Sequence, residues 1–156
     1  MKKAIFAVLF VMLVGIPVFA AGGAEDDGQV RVGASMQWLN DSYIRIVTDA
    51  MEERAEELGI ALTILDGQGR SETQVAQVEN LIAQQFDVII LNPMSIEGAA
   101  PAVDAAVNAG IPIFTLVSLV ANQEKAVTYV GSDAPESGLI QGRMIVDASG
   151  GTGRVA

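Results

Sequence analysis

From Val30 onward, apolar positions alternate between two spacings. Val30 to Met36 is a short, glycine-containing apolar run that predicts a strand. Tyr43 to Leu58 places apolar residues at 43, 44, 47, 50, 51, 55 and 58, the spacing of one helix face. Gly59 follows where a left-handed C-cap belongs. Ile60 to Leu65 predicts a second strand ending at Asp66-Gly67, and residues 71–74 (SETQ) fit a capping box. Val75, Val78, Leu81 and Ile82 give the next helix its buried face. Residues 87–91 (DVIIL) form a strand apolar on both faces, as in the middle of a parallel sheet, and Asn92-Pro93 ends it. A helix from about Ile96 to Ala109 stops at Gly110, and strands are predicted at Ile111 to Leu116 and Ala126 to Val130. A last helix runs from Pro135 to Ala148, a glycine turn follows at 150–153, and a strand begins at Arg154. Strict alternation of strands and helices predicts right-handed crossovers and an α/β, doubly wound parallel sheet. Ligands bind such sheets beyond the carboxyl ends of the strands. The loops to inspect therefore begin near Met36, Asp66, Asn92, Val117 and Gly131.

The N-terminus breaks this pattern. Lys2 and Lys3 precede an unbroken apolar run from Ala4 to Val14, followed by Gly15, Pro17 and the small-residue triplet Val18-Phe19-Ala20. These are the three regions of a secretory signal peptide, with export and cleavage expected near Ala20. An uncleaved anchor fits less well, because Ala4 to Ala21 barely reaches the ~17–25 residues of a spanning helix and is interrupted by Gly15 and Pro17. Residues 21–29 (AGGAEDDGQ) read as a flexible leader.

Charge and composition then remove whole classes of function. The chain has 9 Lys+Arg and 19 Asp+Glu; loss of residues 1–20 removes two cations and no anion, giving 7 − 19 = −12. So acidic a chain is poorly suited to nucleic acid, whose recognition needs cationic contacts to phosphate. There is no Cys and no His, which excludes disulfides, Ser-His-Asp and Cys-His catalysis, and His- or thiolate-ligated metal. No catalytic residue, metal or cofactor is expected.

The loop after the first strand holds Trp38, Asn40, Asp41, Ser42 and Tyr43, including the only Trp. A carboxylate or amide can bridge adjacent sugar hydroxyls while an aromatic ring packs on the apolar C–H face. The structural alternative is that Asp41 or Ser42 caps the following helix and Tyr43 packs beneath it. Asn92 could offer an amide to a ligand, or satisfy local backbone at the Asn-Pro turn. Asp66 reads as an Asx-turn residue, and residues 67–71 (GQGRS) as a loop without a phosphate-binding fingerprint. The carboxylate pairs at Glu52/Glu53 and Glu56/Glu57 lie on a helix's solvent face, away from any cleft.

These loops carry a resemblance. Residues 32–36 (VGASM) with 40–43 (NDSY), 72–82 (ETQVAQVENLI) with 87–93 (DVIILNP), 110–113 (GIPI), and 129–133 (YVGSD) with 136–142 (ESGLIQG) occur in the order and spacing of periplasmic sugar-binding proteins of ABC transporters. The resemblance is to the galactose-, ribose- and xylose-binding type, and it runs from about Val30 to the last residue. It implies a Rossmann-like first lobe of a two-lobe type I periplasmic binding protein, truncated at the start of lobe 2. The implied divisions are signal peptide 1–20, leader 21–29, N-terminal lobe 30–131, and hinge crossover with incomplete lobe 2 over 132–156. With so little of lobe 2 to pack on, residues 134–156 are expected to be poorly ordered.

By the same resemblance Asp41 matches a residue that hydrogen-bonds sugar hydroxyls, Tyr43 an aromatic that stacks on the ring, and Asn92 a further polar contact. Trp38 and Asn40 are neighbours without a firm match. After the fourth strand many relatives place Asp-Arg or Asn-Lys; this chain has Val117-Ser118, with Ser118 as a weak substitute. The implied function is capture of a monosaccharide or polyol for an ABC permease of the inner membrane, with a chemoreceptor as a further partner. Two alternatives are the sensing domain of a sugar-responsive repressor, which needs a helix-turn-helix where the export signal lies, and a nucleotide-binding enzyme. The latter needs a glycine fingerprint where the chain has Met36-Gln37-Trp38.

Overall fold

Five strands, β1 (Arg31–Met36), β2 (Ala61–Asp66), β3 (Val88–Leu91), β4 (Ile113–Leu116) and β5 (Tyr129–Val130), pair in parallel in the order β2-β1-β3-β4-β5. The helices are α1 (Ser42–Leu58), α2 (Ser71–Ala83), α3 (Ala100–Asn108) and α4 (Ala134–Ala148). This computed structural model describes residues 28–151. The expected signal peptide, most of the expected leader and the strand expected at Arg154 lie outside the described residues. Among the described residues no helix is long and apolar enough to cross a membrane.

The strand order follows from crossover handedness. From β1 the chain steps outward through α1 to β2, then returns through α2 past β1 to β3. Right-handed connections in opposite directions put α1 on one face and α2 and α3 on the other. Ile89 and Leu91 point into the α2–α3 core with Val78, Leu81, Val103 and Ile113, while Ala34, Met36 and Ile44 form the core beneath α1. β1 turns Gly33 and Ser35 toward α2. A Cβ on Gly33 would lie 2.5 Å from Leu81 Cδ2, so glycine is what lets α2 settle onto the sheet.

The α1 face is only partly covered. Among the described residues, Val88, Ile90 and Phe114 of the sheet and Ile46, Ala50 and Leu58 of α1 line an open apolar groove of about 660 Å³. That is why Val88 and Ile90 are half-buried although β3 is central, and why Leu58, on the predicted apolar face of α1, is exposed.

Local signals hold at several ends. Gly59 has φ 66°, and Ile60 N donates to Ala55 O (2.9 Å), closing the helix as a left-handed cap does. Asp66 Oδ1 accepts from Gln68 N (2.9 Å) in the expected Asx turn. Other expectations are corrected. Residues 71–74 form no capping box: the residue flanking α2 is Arg70, which makes no side-chain cap, and Gln74 is turned into the interior. α3 begins at Ala100 rather than near Ile96, because Ser95 holds the preceding turn by accepting from Gly98 N at its hydroxyl (2.9 Å). β5 is two residues long, Tyr129–Val130, although Val127 N already donates to Ile113 O (2.9 Å) and Thr128 O accepts from Thr115 N (3.1 Å). The segment expected to be poorly ordered forms the regular helix α4 through Ala148, capped by Asp133 through Glu136 N (2.9 Å) and burying none of its residues.

One exposed ion pair ties α3 to the turn before β5. Lys125 Nζ donates to Asp104 Oδ1 (2.7 Å) beside Asn122 Nδ2 (2.8 Å). The Lys125 hydrogen bond holds the Asp104 carboxyl below its ordinary 3.8, against a partial desolvation that pushes it up, and the same bond raises Lys125 above 10.5. A depressed acid stabilises the fold above its unfolded pKa and loses that contribution as pH falls through its folded one. A raised base does the reverse, losing its contribution as pH rises through its folded value. The pair therefore contributes fully between about pH 4 and 10. Lys125→Met is expected to lower the melting temperature slightly at pH 7 and to leave it unchanged once acid has protonated Asp104 in the folded state, with 1 M salt shrinking the difference.

Candidate ligand-binding site

The order of the strands reverses between β1 and β3, and the crevice beyond their carboxyl ends is where this topology gathers a ligand. Asp41 opens the loop-to-helix junction there. Its Oδ1 accepts from Tyr43 N (2.9 Å) and Ile44 N (3.0 Å), with the residue in the extended conformation of an N-cap. That cap fixes the first turn of α1 and with it Tyr43, which is 58% exposed rather than packed beneath the helix. The cap uses one of the two carboxylate oxygens, Oδ1.

Trp38 is 39% exposed, and its indole edge lies over Gly69. Gly69 has φ 67°, and any Cβ there would collide with the ring. Its N–H donates to Gln37 O (2.9 Å), and Gly67 N donates to Met36 O (2.6 Å), so the loops after β1 and β2 are tied together beneath the indole. Asn40 stands exposed in the same loop.

Asn92 sits differently from the direct ligand contact expected of it. It is 0% exposed. Its Oδ1 accepts from Gln37 N (3.3 Å), and its Nδ2 donates to Leu116 O (2.9 Å). The amide spans the switch point and joins the carboxyl ends of β1 and β4. Below it lies Gln74, also 0% exposed, whose Nε2 donates to Asn92 O (2.8 Å) and whose Oε1 accepts from Met94 N (2.8 Å). Gln77 continues the network, accepting from Ser35 Oγ (2.7 Å) and donating to Asp66 O (2.7 Å). A polar residue at 74, in line with Val78 and Leu81 on the apolar stripe of α2, was the sequence signal for this network.

Ser118, the remaining candidate, is half-buried in the loop after β4. It follows Val117, which has φ 66°, a left-handed conformation costly for a β-branched residue. The structure therefore brings Trp38, Asn40, Asp41, Tyr43 and Ser118 to the carboxyl-end edge of the sheet, on the loops leaving β1 and β4 and the first turn of α1, with Asn92, directly after the intervening β3, joining the two loops. The apolar groove lies elsewhere, under α1, and offers little beyond Arg54 to a hydroxylated ligand.

Comparison with known proteins agrees with the fold. The ribose import binding protein of Bacillus subtilis is 30% identical over 128 residues, 82% of this chain and 42% of that protein. The galactofuranose-binding protein of Escherichia coli is 30% identical over 120 residues, 76% of this chain and 36% of that protein. The crystal structure of an ABC transporter solute binding protein from Bacillus halodurans with bound myo-inositol superimposes with TM-score 0.74 at 33% identity, covering 81% of this chain and 44% of that one. A galactofuranose binding protein structure gives TM-score 0.73 at 29% identity over 79% of this chain and 42% of that one. The chain spans less than half the length of each of these four proteins. The periplasmic binding protein domain matches residues 32–156, most of the chain. With its five-stranded parallel sheet, the chain belongs to the periplasmic binding protein domain family.

Proposed function

We propose that this chain is the first lobe of an extracytoplasmic protein that captures a monosaccharide or polyol and presents it to an ABC importer. It is a binding module rather than an enzyme. The observation that carries this reading is the pairing of exposed aromatic rings, Trp38 and Tyr43, with Asp41 at the switch point. Rings of this kind pack on the C–H face of a sugar, and the carboxylate oxygen not used in the cap accepts from its hydroxyls. Asn40 and Ser118 add polar contacts at the rim. Asn92 acts beneath them, setting the spacing of the loops instead of touching the ligand. Val117 makes the β4 side of the site less polar, which suits a polyol or a sugar with fewer hydroxyls on that edge. Export through the 1–20 segment with cleavage near Ala20 places the protein in the periplasm, with an inner-membrane permease as its partner and a chemoreceptor as a second.

Trp38, the sole tryptophan, makes the test direct. Titration with a panel of pentoses, hexoses and inositols is expected to give a saturable change in its fluorescence for at least one compound, and a flat response across the panel overturns the proposal. Asp41→Asn preserves the cap, because Asn and Asp cap helices about equally. It is therefore expected to weaken binding about tenfold while shifting stability by less than about 0.5 kcal/mol. Tyr43→Ala is expected to weaken binding by a similar factor through the loss of ring stacking.

A further inference from the structure

The turn after β4 is held by more than its own backbone. Ser118 N donates to Leu116 O (2.7 Å) around Val117, closing a three-residue turn of the strained, left-handed kind. Three contacts from outside the turn keep it there. Asn92 Nδ2 donates to Leu116 O (2.9 Å), Val117 N donates to Val130 O (2.9 Å), and Tyr129 Oη donates to Val117 O (2.9 Å) with Ser132 O at 3.4 Å as its second acceptor. A strained residue persists only where its surroundings over-determine it, and such residues gather at ligand clamps. Here the surroundings can be named, and among the described residues the Tyr129 hydroxyl is the one side-chain group that bonds both the turn and the segment leaving β5.

The phenol needs room to do so. A Cβ on Gly131 would strike its hydroxyl and the carbon that carries it. Gly131 shows no left-handed φ, so space for the Tyr129 ring, rather than backbone freedom, is what the position requires.

We propose that Tyr129, with Gly131 supplying the space for its phenol, is a positioning residue that fixes the Leu116–Ser118 turn for ligand contact and couples that turn to the chain leaving the lobe at Val130–Ser132. The ligand half of this proposal rests on the site assigned above; the turn half stands on geometry alone. A change in backbone direction at Gly131–Ser132 moves the second acceptor of the hydroxyl, and with it the clamp on Val117.

Two measurements on the 156-residue chain separate these halves. In Tyr129→Phe, which removes a single oxygen, amide hydrogen exchange at Val117 and Ser118 is expected to accelerate about tenfold, with Ala34 and Ile89 unchanged. The left-handed signature in the Val117 Cα and Cβ chemical shifts is expected to fade as well. Unchanged exchange and shifts overturn the positioning role whatever the chain binds. Using D-ribose and myo-inositol as ligands and Trp38 fluorescence as the readout, Tyr129→Phe and Gly131→Ala are each expected to raise the dissociation constant about fivefold. If the unaltered chain binds one of the two and Tyr129→Phe binds it equally well, the coupling to ligand is wrong. If the unaltered chain binds neither, the assigned site fails for these compounds, and the exchange result alone decides the role of Tyr129.

Discussion

Replacing Gln74 with alanine is expected to remove about 3 kcal/mol of folding stability, a large fraction of the ~5–15 kcal/mol of an ordinary domain. The side chain is fully buried and engages Asn92 O and Met94 N, each at 2.8 Å. Truncation leaves an acceptor and a donor without partners in a place water does not readily enter, at ~1–3 kcal/mol for each buried group, and opens a cavity beside Val78. Urea unfolding should show a lower midpoint with an unchanged slope. Gln74→Met separates the two causes, since it fills most of the volume and restores neither hydrogen bond. If it is as stable as the unaltered chain, the network contributes nothing. The loss should also be non-additive with Asn92→Ala, because both residues belong to one network.

The second large effect is steric. Gly33→Ala would place a methyl group 2.5 Å from Leu81 Cδ2, 2.6 Å from Cδ1 and 3.0 Å from Cγ, so the whole isobutyl group must move. Leu81 is 2% exposed and has little freedom to do so. The expected cost is about 2–3 kcal/mol from overpacking. Leu81→Ala alone should cost about 3 kcal/mol from the cavity it leaves. The double variant should cost clearly less than the sum, because the new methyl group occupies part of the vacated space. Strict additivity would mean that Gly33 and Leu81 are not in the contact described.

The parts of the molecule that the sequence disclosed are those set by local chemistry or by a long period. Seventeen residues of α1 announce themselves through their spacing, and Gly59 marks their end because only a residue without a Cβ is comfortable at φ 66°. β3 declares its central place by being apolar at successive positions. The ligand edge followed from topology, and Asp41 was visible as either a cap or a contact. What stayed hidden depends on residues distant in the chain. Gln74 satisfies the capping-box pattern locally, yet its amide is worth more to Asn92, 18 positions away, than to its own helix end. Asn92 carried no sign that Gln37 and Leu116 would claim both ends of its amide. Tyr129 resembled any strand aromatic, because its clamp on Val117 exists only once β4 and β5 are paired. Shortened α3 has the same origin: Ser95 settles its start through a contact that no periodicity encodes.

The groove beneath α1 has a thermal consequence. The heat-capacity increase on unfolding tracks the apolar surface newly exposed to water. Val88, Ile90 and Phe114, which line an open groove among the described residues, are already partly hydrated in the folded state and add less to it than Ile89, Leu91 and Ile113 on the opposite face. The curvature of the stability curve is therefore set mainly by the α2–α3 side. Whatever later covers the α1 face deepens that curvature as well as raising the curve, and so sharpens the temperature at which this sheet is most stable.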